Sequence, residues 1–462
     1  MENETDTTLR YPATAGKFFP GEPDALSQEA EACITKGRAG WRPEGSVPRA
    51  VISAHAGYAF SGWLSGTSWR ATARGRPESV VVLSPSHRHA FDGIALPSQR
   101  GYAMPGFELR IDRGATNSLV MEELAKIEDA AHDQEHGIET QLAFLHRLHP
   151  EARIVPLVIG QSTPAQVAAV IDHLAARDGT PPLFILSSDL SHFLPLDKAR
   201  DHDAETAKLI ETAQTGRLTG AHACGAMAIK GFFASRYGQG CKVQRLAMAN
   251  SADVTGDTNR TVGYGAWAAF GPADDMIVPQ HRDVLLGVAR KALISRAKKG
   301  KPPQIETSSF APALHGFGAS FVTLQQDERL RGCIGSLTAH QPLIADVVEN
   351  TVKSGFQDPR FKPITAAEIP DLRIKIAVLS PSAPMTFGDE KSLLDQLVAG
   401  RDGLILSDGG KRGVFLPMVW ESLPTADQFL TGLKVKAGLP KDHWSDTVEI
   451  RRFCAESFAE TA

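Results

Sequence analysis

The sequence predicts an α/β protein: a mostly parallel sheet flanked by helices, followed by a smaller α+β domain. Two observations predict it. Apolar, β-branched runs alternate with helical stretches as far as Phe270, and that alternation marks a parallel sheet covered on both faces. The segment GPADDMIVPQ at 271–280 then interrupts the pattern, and a long helix with less regular chain follows.

In chain order, apolar residues at three- and four-residue spacing predict a helix over 24–36. RAVISA predicts a buried strand over 49–54, because a short continuous apolar run suits a strand covered on both faces. Helix 61–73 and strand 79–84 (SVVVLS) follow. Helices over 116–127 and 138–148, a strand over 154–159 and a helix over 164–176 come next. LFILSSD places a strand over 183–188, then helices over 203–212 and 224–236, then strands over 243–249 and 261–269. Beyond the junction, Val284, Leu285, Val288, Ala289, Ala292 and Leu293 mark a helix that KGKPP ends, since adjacent prolines cannot continue it. Strands near 319–325, 372–379 and 403–407 and helices near 342–354 and 424–438 complete the second part.

Composition excludes several function classes. The chain has 462 residues, 42% hydrophobic and 22% charged, which is ordinary for a globular protein with room for two cores. A net charge of −4 gives no basic surface for general nucleic-acid or membrane binding. No apolar run approaches the roughly 20 residues of a spanning helix. The acidic, polar start MENETDTTLR is unlike a secretory leader. Five widely spaced cysteines, with no CxxC, fit free thiols in a reducing cytoplasm.

Three histidines follow three of the predicted strands: His55, His87 and His192. Ligands of an open α/β sheet bind beyond the carboxyl ends of its strands, so these imidazoles suggest a metal or acid/base site. Imidazole suits iron, copper, zinc and nickel alike. A packing or surface role is the plain alternative for each histidine. His89 is a weaker candidate beside His87. Cys224 is placed in the first turn of its helix, where the dipole favours the thiolate that binds metals; the alternative is a small buried hydrophobe. Asp189, three residues before His192, could tune that imidazole or cap the following turn. Glu135 and His136 open a helix with Glu139 one turn on, either as a supporting group or as a solvated face. Cys33 and Cys241 are left as packing residues.

In order along the chain, AGKFFP (15–20), SAHAGYAFSG (53–62), SPSHRH (84–89), EHGIETQL (135–142), SSDLSHF (187–193), CGAMAI (224–229) and NSADVTGD (250–257) resemble the Memo family. The resemblance covers about 9–271. It implies a fold like that of the class III extradiol dioxygenases, which are non-heme iron enzymes. It implies metal ligands at His55, His87 and Cys224 and a catalytic histidine at His192, assisted by Asp189. Tyr58, Glu135 and His136 are then groups that support the ligands or touch substrate. Where the dioxygenases have a carboxylate, this chain has Cys224; a soft thiolate tilts the preference toward copper, zinc or an altered iron. Iron or copper is the expected cofactor, with zinc as a further candidate. Phe18-Phe19-Pro20 also departs from the family's aromatic-Tyr-Pro, so that tyrosine's hydroxyl is lost.

LRGCIGSL (330–337), FQDPRFKPI (356–364), IAVLSP (376–381), GLILSDGGKRGVFLP (403–417) and DQFLTGLKVKAGL (427–439) resemble the AMMECR family over about 278–457. Gly332 and Gly335 predict a tight turn presenting Arg331 and Cys333, either as a binding loop or as a close-packed turn. The two families belong with a radical SAM protein to the AmmeMemoRadiSam grouping, whose first two members this chain resembles in fused form. The CxxxCxxC of radical SAM enzymes is absent from this sequence, so such chemistry implies a separate partner. The leading expectation is a metal-dependent oxidoreductase acting on an unidentified small-molecule or protein substrate. The alternative is a scaffold whose metal site is structural or vestigial. Nucleic-acid binding by the second domain is disfavoured, since no phosphate loop or basic stripe occurs.

Overall fold

The computed structural model describes residues 8–37 and 46–461. The first half is built on a nine-stranded mixed sheet. Its centre is parallel: Ala50–Ser53, Leu183–Ser187, Ser79–Pro85 and Arg153–Ile159 lie side by side in that order. These strands are apolar almost throughout and buried on both faces, as parallel strands under helices must be. The flanks are antiparallel. Thr261–Phe270 pairs with Ala50–Ser53 on one side, and Ile94–Leu96 with Arg153–Ile159 on the other. Beyond Ile94–Leu96, the edge strand Lys126–Ile127 pairs parallel again, so the sheet is mixed around a parallel core. That core is the part that positions the histidines.

The helices predicted from spacing are present, except that the one expected over 116–127 is Arg113–Met121 and Lys126–Ile127 is a short edge strand instead. Pro164–Ala175 starts with a capping box, Thr163 with Gln166, which satisfies two otherwise orphaned amides. Pro279–Lys299 ends at Gly300, whose φ of 72° is the left-handed conformation that glycine adopts without strain. Short strands at Gly101–Met104 and Phe107–Arg110, in a separate small sheet with Leu9–Arg10, were not anticipated.

The second half is an antiparallel sheet in the order Arg329–Gly335, Phe317–Gln326, Leu372–Leu379, Glu449–Ala459, Asp402–Asp408, Lys411–Phe415. Leu343–Phe356 packs against Phe317–Gln326 and Arg329–Gly335, and Pro279–Lys299 packs on that helix. LRGCIG is strand here, which corrects the expected turn. Gly332 is needed because a Cβ there would lie 2.1 Å from the Ser354 carbonyl oxygen. Gly335 likewise lies under the Phe321 ring. Both glycines serve close packing.

The halves share apolar contact. Val51 and Val80 of the first half and Leu285, Val322 and Ile376 of the second belong to one continuous buried cluster. Buried Glu456, in the last strand, accepts the amides of Met276 and Ile277 at 2.8 and 3.0 Å and pairs with Arg282 at 3.0 Å. The connecting segment is thereby fixed to the second sheet.

Candidate metal centre

His55 follows the Ala50–Ser53 strand. Its amide donates to Asp189 Oδ1 at 2.9 Å, and its ring is 1% exposed. Its Nδ1 lies 2.8 Å from Ser187 Oγ. Ser187 donates its single hydroxyl hydrogen to the Gly137 carbonyl at 2.6 Å, so toward His55 it can only accept. The ring proton therefore sits on Nδ1. The Nε2 lone pair is left facing Cys224 Sγ, 3.2 Å away. Burial, reinforced by the nearby His87, holds the His55 pKa down at about 3, so the ring is neutral at pH 7.

His87 follows the Ser79–Pro85 strand. Its Nδ1 and amide donate to the two oxygens of Glu135, at 2.8 and 2.9 Å. Glu135 also caps the His136–Leu148 helix by accepting from the Gly137 amide at 2.8 Å. Burial would raise the Glu135 pKa, but the hydrogen bonds and charge of His87 and the amides of Gly137 and His87 outweigh it and hold it at about 2. The carboxylate fixes the His87 tautomer and leaves its Nε2 free. Carboxylate or hydroxyl partners of this kind orient metal-binding imidazoles. Gly137 is required here, since a Cβ would stand 2.3 Å from Ser84 Oγ and 3.2 Å from His55 Nδ1.

His136 joins them. Its ring centroid is 4.4 Å from that of His87 and 5.2 Å from that of His55. One ligand atom from each of His55, His87 and His136 lies within 4.8 Å of the others. Phe18 closes the outer side, 4.5 Å from the His136 ring. The sequence placed His136 among supporting groups; in the structure it is a third imidazole of the cluster.

Cys224 stands on the other side of His55. The Asp189 amide donates to its sulfur at 3.2 Å, and its own amide donates to the Asp189 carbonyl at 3.2 Å. The helix begins only at Ala226, so Cys224 precedes the first turn. Burial and the Asp189 charge push its thiol up to about 12. This corrects the expected dipole-stabilised thiolate: without a cation, desolvation wins.

Asp189 is buried and its pKa is raised by that burial. Among the described residues no hydrogen bond joins it to His192. It serves His55 instead, through the amide bond above, with Oδ2 4.0 Å from Nε2. The expected assistance to His192 is thus redirected to a neighbour. His192 is exposed, five residues past the end of the Leu183–Ser187 strand. Its neighbour Phe193 has φ 58°, a strained conformation for a bulky residue. Tyr58 turns inward: its hydroxyl donates to the Thr140 carbonyl at 2.8 Å and its ring stacks on Phe144. Of the two expected roles, support of the ligands or contact with substrate, this inward placement fits the first. Arg331 pairs with Glu368, and Cys333 contacts Thr323 and Asp358; these partners all lie in the second half, apart from the cluster.

Ser187 escaped the sequence analysis, because one serine among SSDLS carries no distinguishing pattern. So did the N-terminal strap. Arg10 Nη1 meets buried Glu139 at 2.6 Å, and Glu139 also accepts the amides of Ala13 and Thr14 at 2.9 and 3.0 Å. This holds AGKFFP against the helix, and the Phe18 carbonyl then accepts the Tyr58 amide at 2.7 Å.

Comparison with known proteins assigns the two halves separately. The Memo-like protein family model matches residues 10–268, and the AMMECR1 model matches residues 286–458. A MEMO1 family protein of Aeropyrum pernix is 31% identical over 277 residues, covering 56% of this chain and 98% of its own. Protein MJ0810 of Methanocaldococcus jannaschii is 34% identical over 178 residues, covering 37% of this chain and 86% of its own. The crystal structure of the uncharacterized protein PH0010 from Pyrococcus horikoshii aligns with a TM-score of 0.36 at 32% identity, over 38% of this chain and 90% of that one. With one model matching more than half of its length, the chain belongs to the Memo-like protein family and carries an AMMECR1 domain behind its Memo-like half.

Proposed function

We propose that the chain is a metal-dependent oxidoreductase with iron or copper held by His55, His87 and Cys224. The observation that carries this is the paired tautomer control. Ser187 and Glu135 each occupy an Nδ1, so both rings keep Nε2 for a ligand bond, and one ligand atom of each ring lies within 4.8 Å of the other. Neutral imidazoles with bonded outer nitrogens are the form that ligates metals. A bound iron or copper would supply one-electron chemistry toward oxygen or substrate. The chain's residues supply the rest. Glu135 and Asp189 hold the ligands in place, Phe18 limits access of water from one side, and exposed His192 is placed to move a proton at the rim. A substrate is met at the carboxyl edge of the parallel strands. A radical SAM protein fits as a partner, because this chain lacks a cluster motif of its own. Among the described residues no helix is long and apolar enough to cross a membrane.

A second reading rests on His136. If it binds the ion together with the other three, the site has four protein ligands and is closed, as structural zinc sites are. Purification without oxygen followed by metal analysis of wild type, Cys224→Ser and His136→Ala separates the two. The enzyme reading expects iron or copper, lost in Cys224→Ser and retained in His136→Ala. Zinc lost equally in both variants, with unfolding of the apo-protein, favours the structural site.

A further inference from the structure

A cavity of about 260 Å³ lies between the two halves. It is distinct from the histidine cluster. Val243 on its wall pairs with Ala269, which pairs with Ala50 at the start of the His55 strand. The cavity thus adjoins the amino-terminal edge of the parallel strands, and the histidines stand at the carboxyl edge. Domain interfaces are favoured places for small-ligand pockets, and the volume is near the lower end of the roughly 300–1,000 Å³ such pockets occupy.

The cavity is amphipathic. Val243, Ala319, Leu343, Val378, Leu379 and Ile405 give it apolar walls. Lys242, Arg245, Arg412 and Arg451 line it too, with Glu211 as a carboxylate. Two of these cations are already matched. Arg245 meets Glu211 through two bonds of 2.6 and 2.9 Å, and Glu211 also accepts Trp267 Nε1 and the Phe317 amide. Lys242 lies 3.4 Å from Glu456.

Arg412 and Arg451 have no carboxylate within 4.0 Å among the described residues. They come from strands on either side of Asp402–Asp408. Arg451 is in register with Ile405 and Arg412 with Ser407. Residues two apart on a strand share a face, so both arginines project on the face where Ile405 lines the cavity. Arg451 is also held in place: its Nε donates to Ser382 Oγ at 3.0 Å and its Nη2 to the Ser382 carbonyl. Its Nη1 remains for another acceptor. Guanidinium groups recognise carboxylate and phosphate by paired, charge-assisted hydrogen bonds.

We propose that this cavity binds a small organic anion, its carboxylate or phosphate on Arg412 and Arg451 and its apolar body against Val243, Leu379 and Ile405. One wall comes from each half, so the ligand would couple them. The test uses the full chain and three probes of similar body: benzoate, phenyl phosphate and neutral benzyl alcohol, titrated calorimetrically. At least one anion should bind saturably, with benzyl alcohol at least tenfold weaker. The tighter of the two anions identifies the headgroup. The double variant Arg412→Gln, Arg451→Gln should bind that anion at least tenfold more weakly while unfolding cooperatively within a few degrees of the wild-type temperature, since among the described residues neither arginine makes an ion pair and only the Arg451 bonds to Ser382 are lost. Absence of saturable binding by either anion overturns the proposal. So does equal binding by the double variant, or equal binding of benzyl alcohol.

Discussion

Replacing Glu135 by Gln tests whether the histidine cluster is built for a metal. Glu135 Oε1 accepts from His87 Nδ1 and the Gly137 amide, both at 2.8 Å, and from Ser84 Oγ at 3.3 Å; Oε2 accepts the His87 amide at 2.9 Å. Glutamine has nearly the same shape but can accept on only one side. If its nitrogen takes the Oε2 place, it meets the His87 amide donor to donor. If it takes the Oε1 place, it donates to His87 Nδ1, moves the ring proton to Nε2 and blocks the ligand atom. Either way one buried polar group is left unmatched, at a cost of about 1–3 kcal/mol to the apo-protein. Losing such an orienting carboxylate typically weakens metal binding by about 10–100-fold, which is about 1.4–2.7 kcal/mol. Competition with a chelator of known affinity under anaerobic conditions measures the binding, and urea unfolding measures the stability. A binding change below about threefold, in a protein destabilised as expected, would refute the idea that Glu135 serves a metal ligand and leave it as a helix cap.

Three further outcomes are expected. His192→Ala should keep the metal and slow turnover by about 100- to 10,000-fold, the usual range for removal of an acid/base group; loss of metal on elemental analysis would make His192 a ligand instead. Glu139→Gln leaves the Arg10 charge buried without its partner, and should cost about 3–5 kcal/mol of stability in denaturant titration; a cost under about 1 kcal/mol would show that the strap is dispensable. Residues 1–272 and 276–462 expressed separately should each fold, since relatives matching a single half exist, with the metal in the first piece. If both precipitate while the whole chain is stable, the shared apolar cluster makes one cooperative structure.

Much of the fold was legible because its signals are local. Ser79–Pro85 and Leu183–Ser187 read as buried strands from seven or five consecutive residues, and the helices from their three- and four-residue spacing. The position of His55 and His87 past strand ends was legible for the same reason. The edge strands were harder. Ile94–Leu96 and Lys126–Ile127 are only three and two residues long, too short for any period. Glu449–Ala459 breaks its alternation at Arg451–Cys454, two outward positions followed by two buried ones, and buries the charged Glu456, so no clean period marks the run. Cys224 shows a different limit. A helix-start position argues for a low pKa, but burial beside Asp189 reverses the shift, and burial is a property of the assembled site.

The sequence by itself determined the class of fold, the order of its parts, the family resemblances and the residue types offered at the carboxyl edge of the sheet. Those follow from short-range periodicity and from motifs within single segments. Only the tertiary structure decided how the offered groups are used. Ser187 fixes the tautomer of a histidine 132 residues away in the chain, Glu139 anchors Arg10 across 129 positions, and His136 turns into the cluster because its helix starts on Glu135. The second sheet docks beside the amino-terminal edge of the first and encloses a cavity there. Hydrogen-bond direction, desolvation and contact depend on distance in space, and the chain sets those distances only once its strands are in register and its helices packed.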